Sequence, residues 1–371
     1  MTPKEVIERL LTAEKIQGNW FTDIFLKQVP AVQVEQIIAT LKQELGAYQE
    51  VQQDGNDFLI IFENGSVTTK ISLNDRGKIA SLFFETPRLK ITSLEAALTE
   101  LKSLPGEISL LVKEGNSEKI SYNSRTPLAV GSSFKLAVLL ALKSQIDEGK
   151  KSWGDVVKLE PNYKSLFPSG LLENWPEGSL LTIESLAALM ISQSDNTATD
   201  TLIYLVGKDA IEALSPRNNP FLTTREFFIL KWSNQSKELL DRYRNNNPAK
   251  RRDLLSEIAQ YSLPEVSDVD LTKPTALDVE WYFSTEELCN LIDRVKDLPL
   301  MGINSGLAKA KDWQTVAYKG GSEPGVLNLT TWLKAKNGTT YCVSATWNNK
   351  EAVLEESRFM TLYSSILELL K

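Results

Sequence analysis

A serine and a lysine three residues apart form the first group in the chain that could do chemistry. Ser132 and Lys135 stand in the sequence Gly-Ser-Ser-Phe-Lys-Leu-Ala-Val, at the start of a long apolar run. If that run is a helix, the two side chains lie on one face, about one turn apart. Burial disfavours the charged form of a lysine, so Lys135 could take the proton of the Ser132 hydroxyl. A solvated serine with a surface lysine would give the same spacing.

The chain of 371 residues contains no histidine. This absence excludes Ser-His-Asp and Cys-His catalysis, and also zinc sites built on histidine. A serine hydrolase made from this sequence must therefore take its base from Lys, Asp, Glu or Tyr. We expect no metal and no other cofactor.

The composition is that of an ordinary globular protein, with 42% hydrophobic and 24% charged residues. A formal net charge of -7 argues against nucleic acid as a general partner. No apolar run reaches the roughly 20 residues of a membrane helix. We expect a small-molecule partner, no nucleic acid and no membrane, and leave a homodimer open. The sequence also has a basic run, which we interpret as a solvated helix face: Arg242, Arg244, Lys250, Arg251 and Arg252.

The start of the chain and its two cysteines bear on the cellular compartment. Met-Thr-Pro-Lys-Glu has neither the basic start nor the apolar segment of an export signal. Read literally, this predicts a cytoplasmic protein, with a periplasmic or secreted one as the alternative if a leader has been removed. Cys289 and Cys342 show neither metal-ligand spacing nor a disulfide framework, so we predict buried small hydrophobic residues.

Residues 1–88 predict a small α+β domain. The sequence Thr-Pro-Lys-Glu at 2–5 predicts a helix start with a capping box, and apolar spacing predicts a second helix over 30–45. Four strands are predicted at 47–53, 57–63, 66–73 and 79–86, separated by Asp-Gly, Asn-Gly and Arg-Gly turns. This order resembles the cone-shaped, steroid-isomerase-like domains. We find no Tyr and Asp pair for isomerase chemistry and interpret the domain as an accessory or dimerising module.

Residues 89–371 predict a second α+β domain. A helix at 92–104 and a hairpin of strands at 107–113 and 118–123 precede the apolar helix of Ser132. The chain ends with strands at 314–319, 326–335 and 341–347, turns at Gly320-Gly321 and Asn337-Gly338, and a helix at 351–370. The strands from both ends can pair as one antiparallel five-stranded sheet covered by the first and last helices. The remaining helices would form an all-helical subdomain.

Two further motifs lie between and after these helices. Ser194-Asp195-Asn196 separates predicted helices at 183–193 and 197–206, and Lys319-Gly320-Gly321 ends a predicted strand. Small polar residues favour turns, and loops held by rigid helices are good positions for catalytic groups. Each of the three motifs occurs once in the chain.

In this order the motifs resemble those of class A serine β-lactamases and penicillin-binding proteins. The resemblance extends over about residues 90–371. It implies a β-lactamase/transpeptidase-like fold and hydrolysis of β-lactams through an acyl intermediate on Ser132. Alternatives on the same scaffold are an esterase, a D-alanyl peptidase-type hydrolase, or a penicillin-binding protein that deacylates slowly.

The resemblance assigns catalytic roles to four residues. Ser132 would be the acyl nucleophile and Lys135 its base, acting directly or through water. Ser194 would relay a proton to the departing ring nitrogen. Lys319 would attract the substrate carboxylate and lower the proton affinity of Lys135.

Substrate binding falls to four further positions. Asn196 would hold both Lys135 and the substrate amide with one carboxamide. The backbone N–H groups of Ser132 and Ser322 would form the oxyanion hole. Gly320 and Gly321 would let the substrate lie along the strand.

The sequence departs from the family pattern at two points. Lys-Gly-Gly stands where Lys-Thr-Gly is usual, so a hydroxyl is missing and Ser322 is the candidate replacement. The glutamate that activates the deacylating water in class A enzymes has no clear equivalent. We name Glu226, Asp278 and Glu280 as candidates. Without such a base the acyl-enzyme would be long-lived.

Overall fold

The computed structural model describes residues 1–166 and 170–371. The chain divides into two compact units. One comprises Met1–Leu101 with Glu355–Leu370, and the other comprises Lys102–Leu354 with Lys371. The predicted boundary between residues 88 and 89 stays a prediction.

Most helices of the described residues are short. In chain order they are α1 (Pro3–Thr12), α2 (Asp23–Gln28), α3 (Ala31–Leu45), α4 (Leu94–Lys102), α5 (Lys135–Asp147), α6 (Ile183–Ser192), α7 (Asn196–Val206), α8 (Lys208–Glu212), α9 (Thr224–Trp232), α10 (Ser236–Arg244), α11 (Pro248–Ile258), α12 (Thr285–Val295) and α13 (Glu356–Glu368).

The strands form two larger sheets and two short pairs. In chain order they are β1 (Tyr48–Asp54), β2 (Asp57–Phe62), β3 (Gly65–Leu73), β4 (Ile79–Phe84), β5 (Arg88–Leu89), β6 (Glu107–Glu114), β7 (Ser117–Tyr122), β8 (Leu128–Ala129), β9 (Val156–Lys158), β10 (Leu180–Thr182), β11 (Tyr282–Phe283), β12 (Thr315–Glu323), β13 (Val326–Lys334) and β14 (Thr340–Asn348).

The N-terminal unit is an antiparallel meander packed against helices. Its strand order is β1-β2-β3-β4, with β5 paired to β3, so the four predicted strands are confirmed. Alternating apolar residues such as Ile60 and Phe62 face one side and share a core with Leu10 of α1 and Val34 of α3. The predicted capping box at the start of α1 is present. The likeness to steroid-isomerase domains stays a prediction.

The last helix, α13, belongs to this same unit. The backbone N–H of Leu89 donates to Ser365 Oγ at 2.9 Å. Arg88 Nη1 lies 2.6 Å from Glu368 Oε2. These contacts tie the two ends of the unit's chain together. The helix begins at Glu356, later than the predicted start at residue 351.

The second unit contains the predicted five-stranded antiparallel sheet. Its strand order is β12-β13-β14-β6-β7, so strands from the two ends of the unit meet where Ala345 pairs with Leu110. One face packs against α5 and α12 in a large apolar core. The middle of α5, from Leu136 to Leu142, is buried on every side, which explains its uniformly apolar sequence. This architecture is the β-lactamase/transpeptidase-like fold that the motifs imply.

The predicted turn at Gly320-Gly321 is wrong, because β12 continues through both glycines to Glu323. Gly320 pairs with Leu329 and Gly321 pairs with Asn328 in the ladder with β13. The chain reverses after Glu323, where Gly325 has a φ of 85°. A pair of glycines favours a turn locally, but here their missing side chains serve close packing within a strand.

The prediction for the cysteines is wrong in one respect, because Cys289 and Cys342 form a disulfide. Both are buried, as expected, but α12 packs over β14 and brings their Cα atoms to 5.9 Å. They lie 53 residues apart in sequence, so only the tertiary packing of a helix on a sheet reveals the pairing. The bond joins the helical layer to the sheet.

No helix within 1–166 and 170–371 has the length and apolar character needed to cross a membrane. Nor do these residues bring three or more Cys, Asp or Glu side chains together in a group suited to a metal ion.

Candidate active site

Ser132 lies in a short 3-10 turn that leads directly into α5. The turn spans Gly131–Phe134, and α5 begins at Lys135. Gly131 has a φ of 49°, in the left-handed region that glycine enters without strain. The ring of Phe134 stacks on Trp281 with centroids 4.0 Å apart. The stacking of Phe134 on Trp281 and the left-handed conformation of Gly131 therefore fix the backbone that carries the Ser132 hydroxyl.

Lys135 is fully buried and surrounded by oxygen atoms. Its Nζ donates to Ser194 O at 2.6 Å and to Asn196 Oδ1 at 2.8 Å, and it lies 3.1 Å from Ser194 Oγ. Burial, followed by the charge of Lys319, lowers the pKa of Lys135 well below its usual 10.5. The carboxylates of Asp195 and Asp200 act in the opposite direction. The balance favours a neutral amine with a free electron pair, which is what a base requires.

Ser194 occupies the loop between α6 and α7 in an unusual backbone conformation. Its φ is 56°, a left-handed value that costs a residue with a side chain about 1–3 kcal/mol. The neighbouring Asp195 holds the loop, because its Oδ1 caps α7 by accepting from Ala198 N at 2.7 Å. Its other oxygen, Oδ2, accepts from Leu171 N at 2.7 Å. The aspartate of this motif therefore positions the serine beside it.

Lys319 approaches the same serine from the sheet. Its Nζ lies 3.1 Å from Ser194 Oγ and also donates to the carbonyl of Gly320. Burial lowers the pKa of Lys319 from 10.5 to about 7. The hydroxyl of Ser194 thus lies between two buried amines, at 3.1 Å from each. This geometry suits a hydroxyl that passes a proton on.

Strand β12 passes against the Ser132 turn with no space for side chains between them. A Cβ on Gly321 would lie 2.4 Å from Ser132 N, and one on Gly131 would lie 3.0 Å from Ser322 N. The two backbone amides predicted for the oxyanion hole therefore belong to the two segments that meet here. The Ser322 side chain is exposed.

Asn196 uses both ends of its carboxamide. Its Oδ1 accepts from Lys135, and its Nδ2 donates to Leu166 O at 2.9 Å. An amide nitrogen carries two hydrogens, so one donor of Nδ2 remains for a substrate. The residue begins α7, which places it next to both Ser194 and Lys135.

A cavity of about 100 Å³ opens beside Ser132. Its wall is largely apolar, and Asn196, Thr224, Ser322 and Glu323 add polar groups. The aromatic members are Phe134, Phe227, Phe228, Trp232 and Trp281. An apolar wall with a few polar groups is typical of a small-molecule site.

None of the three proposed deacylation bases lines this cavity. Glu226 caps α9, and both its oxygens lie 2.7 Å from Lys208 Nζ. Asp278 is exposed and pairs with Arg244 at 2.6 Å.

Glu280, the third candidate, is buried and has its Oε1 2.7 Å from Lys231 Nζ. Of the described residues that line the cavity, Glu323 carries the one carboxyl group. Sequence reasoning missed Glu323 because a turn was predicted just before it. The signal that could have found it is the alternation of strand side chains continued past Lys319.

Comparison with known proteins supports the fold from two directions. Residues 92–250 match the model of the Beta-lactamase enzyme family. The β-lactamase VEB-1 of Pseudomonas aeruginosa is 26% identical, over 40% of this chain and 55% of that protein. The chain thus spans about half the length of the curated relative it matches.

Solved structures extend the likeness to about three quarters of the chain. The β-lactamase from Sphaerobacter thermophilus has a TM-score of 0.52 and 19% identity, covering 74% of this chain and 95% of that one. The β-lactamase from Desulfarculus baarsii has a TM-score of 0.51 and 16% identity, covering 75% of this chain and 98% of that one. At these identities the likeness establishes the β-lactamase/transpeptidase-like fold.

Proposed function

We propose that this protein is a serine hydrolase that acts through an acyl-Ser132 intermediate and hydrolyses β-lactams. The observation that carries the proposal is the pair of buried amines, Lys135 and Lys319, that flank Ser194 Oγ at 3.1 Å each. Burying two amines together is costly unless one of them gives up its proton. A neutral lysine next to a serine on a β-lactamase fold supports acyl transfer.

In this proposal, acylation uses these groups in the following order. The neutral amine of Lys135 takes the proton of Ser132 Oγ, which attacks the carbonyl carbon of the ring. The backbone N–H groups of Ser132 and Ser322 stabilise the resulting oxyanion, and such a donor is typically worth about 2.7–4 kcal/mol. The C–N bond of the ring then breaks, and Ser194 passes a proton to the nitrogen and recovers one from Lys135.

The charge of the site favours an anionic substrate. Lys319 is buried and has a pKa of about 7, and an approaching carboxylate would stabilise its protonated form. A β-lactam carries such a carboxylate next to its ring nitrogen. The name of the relative VEB-1, a β-lactamase, agrees with this substrate class.

One observation favours a second candidate, a penicillin-binding protein that deacylates slowly. The cavity beside Ser132 has a mainly apolar wall, and Glu226, Asp278 and Glu280 do not line it. An acyl-enzyme without an activated water would persist. An esterase or a D-alanyl peptidase would use the same acylation chemistry on another substrate.

Incubation with a chromogenic cephalosporin, followed by colour change and intact mass, tests the proposal. We expect turnover, and a transient mass increase equal to the whole substrate. A persistent adduct would favour the slow penicillin-binding protein. The absence of both turnover and an adduct would indicate that the protein acts on another substrate.

The matched variants are Ser132→Ala and Ser133→Ala. Among the described residues, the buried Ser133 Oγ has no hydrogen-bond partner, so its loss should leave turnover unchanged. Full turnover by Ser132→Ala would contradict the nucleophile assignment.

A further inference from the structure

We infer that Glu323 is the general base that activates the water for hydrolysis of acyl-Ser132. The inference depends on the proposed function, since it requires an acyl-enzyme at this serine. It assigns the second half of the reaction to a residue of β12, outside the three motifs.

The first argument is the alternation of side chains along β12. Residues two apart in a strand face the same side and lie about 7 Å from each other. Lys319 reaches Ser194, and a side chain on Gly321 would run into Ser132 N. Glu323 is the next residue on that face. Its carboxyl group therefore lies on the side of the strand that meets the Ser132 turn.

Ser132 and Glu323 share a cavity, which is the second argument. Both line the space of about 100 Å³, whose remaining wall is mainly apolar. A water molecule needs about 10–15 Å³ of such space, so the cavity can hold one beside an acyl group. Asn196, Thr224 and Ser322 are the other polar side chains that line it. Few partners compete for such a water, which favours its contact with the carboxyl group of Glu323.

The third argument is the buried ion cluster behind Glu323. Lys231 Nζ lies 2.9 and 3.2 Å from the two carboxyl oxygens of Glu323 and 2.7 Å from Glu280 Oε1. The side chains of Lys231 and Glu280 are 0% exposed, and that of Glu323 is 10% exposed. Burying two carboxyl groups with one ammonium group is costly, and such clusters concentrate at functional sites.

The cluster also sets the basicity of Glu323. Burial, followed by the charge of Glu280, raises the pKa of Glu323 well above its usual 4.5, while Lys231 opposes the shift. A carboxylate with a raised pKa is a stronger base than an ordinary one.

The step conserves atoms and protons. Glu323 takes one proton from the water as the water oxygen bonds to the acyl carbon. The bond between that carbon and Ser132 Oγ then breaks, and the proton held by Glu323 passes to Ser132 Oγ. The products are the free carboxylic acid and the original serine, with no oxidant or metal required.

The test is Glu323→Gln, followed by rapid mixing with benzylpenicillin and intact mass. We expect acylation within a few-fold of the unchanged protein, deacylation slower by about 100-fold or more, and an accumulated adduct at Ser132. The control is Glu226→Gln, which removes a carboxylate outside the cavity and should not accumulate adduct. Turnover by Glu323→Gln at the normal rate would overturn the inference. So would a folded Glu323→Gln protein that is not acylated.

The pH dependence separates a base from a structural residue. The groups that face Glu323 are Lys231 of α9 and Glu280. Tyr282 is also nearby, since burial, followed by nearby carboxylates that include Glu280 and Glu323, raises its pKa. Deacylation should rise with pH as Glu323 ionises. Glu280→Gln removes a neighbouring negative charge and should move that rise to lower pH, whereas an unmoved profile would contradict the assignment.

If the unchanged protein forms no adduct and turns nothing over, the proposed function fails instead. A permanent adduct in the unchanged protein overturns this inference alone.

Discussion

Two buried lysine environments in the second unit differ in their partners. Lys135 and Lys319 contact hydroxyl, amide and carbonyl oxygens, and burial lowers the pKa of each. Lys231 is just as buried, yet Glu280 and Glu323 outweigh burial and raise its pKa. Burial alone therefore does not decide whether a lysine is charged. Neutral partners favour a base, and carboxylate partners favour a fixed cation.

The largest expected effect tests the first environment through Lys135→Met. Loss of the base should slow acylation of Ser132 by about 100- to 10,000-fold, because general base catalysis is typically worth that much. The rate of adduct formation by intact mass measures it. The control is Lys143→Met, which removes a lysine of α5 that pairs with Asp147 outside the site. Acylation at the normal rate in Lys135→Met would remove this lysine from the mechanism.

In the second environment, we expect replacement of the lysine to lower the free energy of unfolding. Lys231→Met leaves Glu280 and Glu323 buried without their cation, and breaking a buried pair in this way costs about 3–5 kcal/mol. The free energy of unfolding in urea measures the loss. Lys135→Met, which breaks no ion pair, should lose much less stability. Equal decreases in the free energy of unfolding of the two variants would contradict the distinction between the two environments.

The disulfide should contribute about 2–4 kcal/mol to stability, since it closes a loop between α12 and β14. Replacing both Cys289 and Cys342 by serine should lower the free energy of unfolding by that amount. Intact mass under non-reducing conditions should be 2 Da lower than after reduction, about the mass of the two hydrogens lost on oxidation. We propose that the bond favours a periplasmic or secreted location over a cytoplasmic one. An unchanged mass on reduction would contradict the bond.

A further effect is a pH dependence of stability from Lys319. Its pKa is 10.5 when unperturbed and about 7 in the fold, so the unfolded chain binds more protons between these values. The free energy of unfolding should therefore rise with pH from about 7 to 10.5 and stay flat below that window. Lys319→Met should reduce this rise but not abolish it, because the pKa of Lys135 is lowered as well, whereas Lys336→Met, on the surface, should keep the whole rise. Urea unfolding at several pH values measures the slope. The same rise in both variants would contradict the assignment.

Much of the fold could be predicted from local patterns. The main strands of both sheets, the capping box at Thr2 and the helix Ile183–Ser192 follow from apolar periodicity and turn residues. Local signals were sufficient there because each element carries its own pattern.

What could not be predicted depends on tertiary contacts. The disulfide needs α12 packed on β14, and no spacing in the sequence encodes that. Two consecutive glycines at 320 and 321 are typical of a turn. Here they lie in a strand, and the Ser132 segment packs so closely against Gly321 that a side chain there would not fit. That error hid Glu323, because a residue after a turn has no defined face.

The most direct measurement is a quenched time course with a β-lactam, followed by peptide mapping of the modified residue. The account predicts that the protein gains the full mass of the substrate, because ring opening loses no atoms, and that the gain maps to Ser132. It also predicts that Lys135→Met delays this gain, while Glu323→Gln prolongs it. Turnover without any adduct at Ser132, or an adduct on another residue, would contradict the account.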